Sequence, residues 1–228
     1  HHDGRRWWLV DPDGYVFWSA GLDCVSPLIP GVCNGLEKAL TYQPEKEGEF
    51  ADIYHTWIEN IDTVNFLAAN FIRAFGAERW YEEWSKIALS QLKDMGFNSF
   101  GNWSDWWVAK DNGFPYVRQV FLQCENIPMI YREFPDVFHP DFEDELNKTA
   151  EELSDTVNDP AMIGYFLMNE PSWLWVSECP AAEMLFTTDS CYTRVALSKY
   201  LEQRYETEDK LCCSWGITTS FAQVAQGK

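Results

Sequence analysis

Positive charge is scarce in this chain. Its 228 residues hold 17 Lys and Arg against 36 Asp and Glu, a formal charge of −19. Nucleic-acid binding needs clustered cations that displace counterions from phosphates, and an anionic membrane surface asks for the same. No nucleic acid is therefore expected as a partner. Most of the negative charge reads as a solvated face that keeps the chain soluble, and it is compatible with a neutral polymer or a small sugar. Histidine is scarce too, with four residues, two of them at the very start. The seven cysteines, at 24, 33, 124, 179, 191, 212 and 213, form no C-x-x-C and have no His at zinc-like spacing. No metal site and no cofactor are implied. Finally, no run of eighteen apolar residues exists, which excludes membrane insertion by a spanning helix.

What is present is globular: 46% hydrophobic and 23% charged residues. No signal peptide is visible, and the opening His1-His2-Asp3 reads as a trimmed or engineered start that says little about targeting. Cys24/Cys33 and Cys179/Cys191 are spaced for small disulfide loops, and Asn102-Trp-Ser and Asn147-Lys-Thr match the glycosylation pattern. Together they favour an extracellular, secreted protein.

The most informative stretch is Ile163-Gly-Tyr-Phe-Leu-Met168 followed by Asn169, Glu170 and Pro171. A continuous apolar run of this length suits a strand buried on both faces of a parallel sheet. Pro171 closes it, so Glu170 stands at a carboxyl-terminal strand end, where α/β folds place ligands. Trp173 and Trp175 follow at once. An acid beside indoles points to a sugar; the plain alternative is a cap for the next helix.

Along the chain, Asp11-Pro-Asp-Gly14 between Trp7–Val10 and Tyr15–Trp18 predicts a β-hairpin leading into a first strand over Ser19–Asp23. Residues 27–48 read as loop, and 53–75 as helix of mixed polarity. A helix over Trp80–Met95 buries Trp84, Ile87, Ala88, Leu92 and Met95 and stops at Gly96. A strand over Phe97–Trp103 follows, with Ser104-Asp105 starting a helix. Ile127–Tyr131 reads as a third strand. Pro140 opens an acidic helix whose stripe is Phe142, Leu146, Ala150, Leu153 and Val157. The Ile163 strand is fourth, and a helix over Tyr192–Tyr205 comes after it. Alternation of strand and helix means a parallel sheet with crossover helices. Four such units make half of a (β/α)8 TIM barrel of ~250 residues, or else a four-stranded open sheet.

The motifs carry a resemblance. Gly101-Asn-Trp-Ser-Asp105 after Gly96-Phe-Asn98 resembles the second-strand motif of the β-agarases of glycoside hydrolase family 50. So do Phe134-Pro-Asp-Val-Phe-His-Pro-Asp-Phe142 and Gly164–Glu170, and Leu9–Gly14 with Phe17–Gly21 resembles the lead-in to that family's first barrel strand. The matches run from about residue 7 to 216 in family order. The resemblance implies a clan A glycosidase whose fourth strand ends in Asn-Glu, with Glu170 as acid/base and Asn169 on the sugar's 2-hydroxyl. The family's nucleophile, a second Glu on the seventh strand, has no counterpart here, so residues 1–228 are expected to be the N-terminal half of one catalytic barrel, truncated before the later strands. A second polypeptide would then complete it. Met168 and Pro171 depart from the residues usual in these agarases.

The expected chemistry is hydrolysis of a β-linked, galactan- or agarose-like saccharide by a retaining two-carboxylate mechanism. Asn102, Trp103 and Asp105 at a strand end either contact the carbohydrate substrate or simply cap a helix beside a packed indole, and Asp23 is a candidate of the same kind, as is Trp173. Trp106 and Trp107 read as packing or rim, and His55 and His139 as structural. The competing functions are a non-catalytic carbohydrate-binding module and a structural protein on a degenerate glycosidase barrel.

Overall fold

A computed structural model describes residues 1–58, 61–173, 176–186, 188 and 191–227. It divides into two compact units, the first of residues 1–119 and 158–166, the second of residues 120–157 and 167–228.

In the first unit, β1 (Leu9–Val10) and β2 (Val16–Phe17) form the expected antiparallel hairpin. Its turn is local chemistry: Asp11 Oδ1 accepts the Tyr15 N–H at 2.8 Å, and Gly14 takes the positive φ of 90°. The hairpin feeds β3 (Gly21–Leu22). The stretch from 27 to 75 departs from expectation. It holds β4 (Pro30–Val32), a short 3₁₀ turn (Gly48–Ile53), β5 (Tyr54–Ile58), β6 (Ile61–Asn65) and only then α1 (Phe66–Phe75). The strands make an antiparallel sheet in the order β4-β6-β5, not the first half of a helix. Asn65 starts α1 by accepting the Ala68 N–H at 2.9 Å.

α2 (Trp80–Asp94) lies where the periodicity put it. Its inward face is rotated, however: Trp84, Leu89 and Leu92 are buried, while Ile87 and the terminal Met95 stay exposed. Gly96 (φ 84°) ends it, and the Phe97 N–H reaches back to the Leu92 carbonyl at 3.0 Å, a Schellman closure. Next come β7 (Ser99–Phe100), α3 (Trp106–Asp111) and β8 (Tyr116–Val120).

In the second unit β9 (Met129–Tyr131) and β10 (Phe134–Pro135) pair with each other as an antiparallel hairpin. Ile127–Tyr131 is therefore not the third strand of the main sheet; β8 is. α4 (Phe142–Glu152) follows, with Glu145 and Thr149 as its buried residues and Ala150 exposed, so the expected apolar stripe is not its inner face. Those polar positions are held by Asn126 Nδ2 on Glu145 Oε1 (3.0 Å) and by the Gln123 N–H on Thr149 (3.3 Å). After β11 (Met162–Leu167), which belongs to the first unit up to Phe166, come α5 (Pro180–Phe186), α6 (Tyr192–Tyr205), α7 (Glu208–Trp215) and α8 (Phe221–Gln226). Leu201, Leu211 and Val224 form the core joining the last three helices.

The main sheet runs β11-β8-β7-β3, so its spatial order follows chain order, and the β3–β7 and β7–β8 pairs are parallel. This is the mixed α/β class the alternation predicts. β11 is the sheet's end strand among the described residues. Phe166 (44% exposed) and Leu167 (69%) correct the expectation of a strand covered on both faces.

Close approach dictates one glycine. A Cβ on Gly21 would lie 2.3 Å from the Ser99 carbonyl oxygen of the neighbouring strand. Gly21→Ala must push β3 and β7 apart, and a loss of about 1–3 kcal/mol in urea unfolding is expected. A variant as stable as the parent would refute this contact.

Candidate active site

Three strands of the main sheet, β3, β7 and β11, deliver polar residues just past their carboxyl ends. In the first unit the segments after β3 and β7 are laced together. The Gly101 N–H donates to the Leu22 carbonyl (2.7 Å), Cys24 N–H to Asn102 (2.8 Å) and Asp105 N–H to Val25 (2.9 Å), and Ser104 Oγ accepts the Val25 N–H at 3.0 Å. Asn98 completes the seam, its amide pairing with the Ala20 N–H and the Trp18 carbonyl at 2.8 Å each. This lacing brings together four of the expected residues. Asp23 is exposed, and its carboxylate lies against the Gly101 backbone, where an added Cβ would force that side chain to move. Asn102 is buried, which also closes that glycosylation sequon, whereas Asn147 is exposed. Trp103 is half exposed at a φ of 61°, as Cys24 is at 60°, a conformation costing non-glycine residues about 1 kcal/mol or more.

Asp105 was read as either a sugar contact or a helix cap; its side chain makes no capping bond to α3. Buried at 8% exposure, it accepts a 2.5 Å hydrogen bond from the Tyr81 hydroxyl, which in turn accepts Trp107 Nε1–H at 2.7 Å. Tyr81 is the residue missed by sequence reasoning, since an aromatic in the first turn of a helix gives no signal of its own, and Trp107, read as packing or rim, is the other partner. Trp106, by contrast, packs, stacked on Tyr116 with the Arg118 guanidinium 4.3 Å from its ring. Burial, and then the Asp105 carboxylate, push the Tyr81 hydroxyl well above its ordinary value of 10. A raised folded-state value favours folding below the unfolded value and loses that contribution as pH rises. Stability should therefore fall above about pH 10, and Tyr81→Phe should flatten that part of the pH–stability curve; an identical slope in the variant would rule the pair out as its source.

In the second unit lie Asn169, Glu170 and Trp173; Trp175 falls outside the described residues. The Met168 N–H donates to the Val120 carbonyl at 2.8 Å. The backbone then turns sharply, with positive φ at Met168 (59°) and Glu170 (44°). Asn169 is half-buried and Glu170 exposed. Two contacts tie the segment to the β9–β10 hairpin: the Ser172 N–H donates to Glu133 Oε1 at 2.5 Å, and Trp173, 59% exposed, sits 5.2 Å from the Phe134 ring. Burial presses the Glu133 carboxyl upward, but hydrogen bonds from Ser172 and from its own backbone N–H, with the Arg132 charge, together outweigh it and leave the group below the usual range. No disulfide joins the seven cysteines, so Cys24/Cys33 and Cys179/Cys191 give no support for an oxidising compartment.

The chain is a mixed α/β protein whose acids and indoles stand at strand ends, the place where such folds hold their ligands. The comparisons narrow the class. The chain is 24% identical to β-agarase B of Vibrio sp. (strain JT0107) over 255 aligned residues, covering 94% of this chain and 27% of that protein. With β-agarase A of the same strain it shares 26% identity over 194 residues, 75% of this chain and 19% of that one. Among solved structures it superposes on an agarase, AgWH50C (TM-score 0.76, 23% identity, 99% of this chain and 38% of that one), and on PfGH50B (0.80, 22%, 97% and 37%). The chain thus shares the fold of part of these agarase structures and is similar in sequence to β-agarases. It spans about a quarter of the length of the curated relatives. In them the matched region belongs to one longer chain, so a second polypeptide completing the fold has no support. No protein-family model matches the chain.

Proposed function

We propose that the chain is the first four β/α units, with the N-terminal hairpin, of a (β/α)8 catalytic domain in a secreted glycoside hydrolase acting on a β-linked, agarose-like galactan. The observation carrying this reading is Asn169-Glu170 at the carboxyl end of β11, in a chain similar along 94% of its length to a β-agarase. Glu170 protonates the leaving glycosidic oxygen, and a second carboxylate about 5–5.5 Å away attacks the anomeric carbon. Glu170 then takes a proton from the water that releases the glycosyl group. Asn169 holds the 2-hydroxyl, and Trp173 offers a face for a pyranose. Because Glu170 is exposed, the docked polysaccharide must exclude water around it. That exposure also favours one second reading, a module that binds the saccharide without cleaving it.

The test is product stereochemistry. The polypeptide carrying this chain, incubated with agarose oligosaccharides, should release products whose first-formed anomer, followed by proton NMR, keeps the β configuration. Inversion would contradict the two-carboxylate retaining scheme, and binding without cleavage would establish the second reading.

A further inference from the structure

We infer that the first unit carries a pocket for one neutral pyranose ring, gripped through a carboxylate oxygen of Asp105; this rests on the saccharide reading above. The pocket is a hollow of about 320 Å³ lined among others by Leu28, Asp52, His55, Trp80, Asp105 and Trp107. That volume is at the lower end of small-molecule sites, ~300–1,000 Å³.

The Asp105 side chain supplies the directional element. More than nine-tenths buried, it gives one oxygen to Tyr81, and its other oxygen accepts no hydrogen bond among the described residues. That oxygen is not among the fully enclosed polar atoms, so it stands open to a ligand hydroxyl arriving in the hollow. Trp107 and Tyr81 fix the carboxylate beforehand through the 2.7 and 2.5 Å bonds, so little ordering is left for binding to do.

The lining sets the ligand's class. Among the described residues no Lys or Arg faces the hollow, while two carboxylates do, so a sulfate ester or a uronate is repelled. Trp80, Tyr81 and Trp107 offer apolar walls suited to the C–H face of a sugar. The His55 ring, which makes no hydrogen bond among the described residues, adds a second polar contact. A quaternary ammonium ion would use the aromatic walls but leave the lone pair of Asp105 and the ring of His55 unanswered.

The experiment is a tryptophan-fluorescence titration of the protein with D-galactose, D-galactose 6-sulfate and tetramethylammonium, with folding of each variant verified by circular dichroism. Galactose should give a saturable change, with the sulfate ester at least about tenfold weaker. Asp105→Asn, which points an N–H₂ where the acceptor was, should lose about tenfold or more in affinity. Tyr81→Phe, which leaves the carboxylate in place but unanchored, should lose several-fold. The inference is overturned by a wild type that gives no saturable response, by a folded Asp105→Asn variant with unchanged affinity, or by tetramethylammonium displacing galactose at equal or lower concentration. A protein that cleaves agarose yet shows no such galactose response sinks the pocket alone; Asp105-dependent binding without cleavage sinks the hydrolase alone.

Discussion

Glu170→Gln is expected to lower turnover of agarose oligosaccharides by about 10²–10⁴-fold while leaving saccharide binding in place. The amide keeps the size and hydrogen-bonding reach of the acid but has no proton to deliver to the leaving oxygen. Nothing in the backbone opposes the exchange. Glu170 sits at a φ of 44°, a conformation Gln tolerates about as well, and the segment stays pinned by Ser172 on Glu133 and Trp173 on Phe134. An aryl glycoside, whose leaving group departs without protonation, should recover most of the lost rate in the first step and stall in the second, where Glu170 acts as base. A variant with parental turnover would remove Glu170 from the reaction, since no structural role compensates for a missing proton.

Legibility in the sequence tracked how local the determining chemistry is. The β1–β2 hairpin and the end of α2 were readable because Asp11, Gly14 and Gly96 act on their own neighbours. β8 was not. Its Arg118 and Gln119 interrupt the apolar run, and only the tertiary fold shows the Arg118 guanidinium laid over Trp106, its charge met by the ring face. Ile127–Tyr131, more apolar, took its place although it pairs within the second unit instead. The β5–β6 hairpin went unread for a similar reason: no Gly or Pro marks its turn. In α4 the inward residues are Glu145 and Thr149, polar groups with partners some twenty residues away, which hydrophobic periodicity cannot register.

The site divides along the same line. That Asn102, Trp103 and Asp105 follow a strand was visible from Gly96 and the apolar pair before them. That Asp105 answers Tyr81, 24 positions earlier, was not, because local grammar makes an Asp at that place a cap. Strand-end position in the sequence thus located the polar cluster, while its hydrogen-bond partners waited on the fold.

Asp136 is where that dependence on distant partners weighs most on stability. α6 begins after Cys191, whose side chain makes no capping bond, and a helix start left with bare N–H groups is unfavourable when buried. Asp136, 1% exposed and 56 residues upstream, takes over the cap. Its carboxylate accepts the Tyr192 N–H at 2.5 Å, the Thr193 N–H at 2.9 Å and the Thr193 hydroxyl at 2.7 Å, besides the Phe138 N–H at 3.3 Å. The negative charge also lies at the positive end of the helix dipole. Asp136→Ala orphans several part-buried donors at once and should destabilise the second unit by on the order of 2–4 kcal/mol. Because α7 and α8 pack on α6 through Leu201, Leu211 and Val224, all three helices should lose amide-exchange protection together. Asp136→Asn retains one acceptor oxygen and should lose roughly half as much. Urea unfolding followed by circular dichroism measures both. An alanine variant within about 0.5 kcal/mol of the parent would mean that α6 holds its own start, and that the carboxylate beneath it caps nothing.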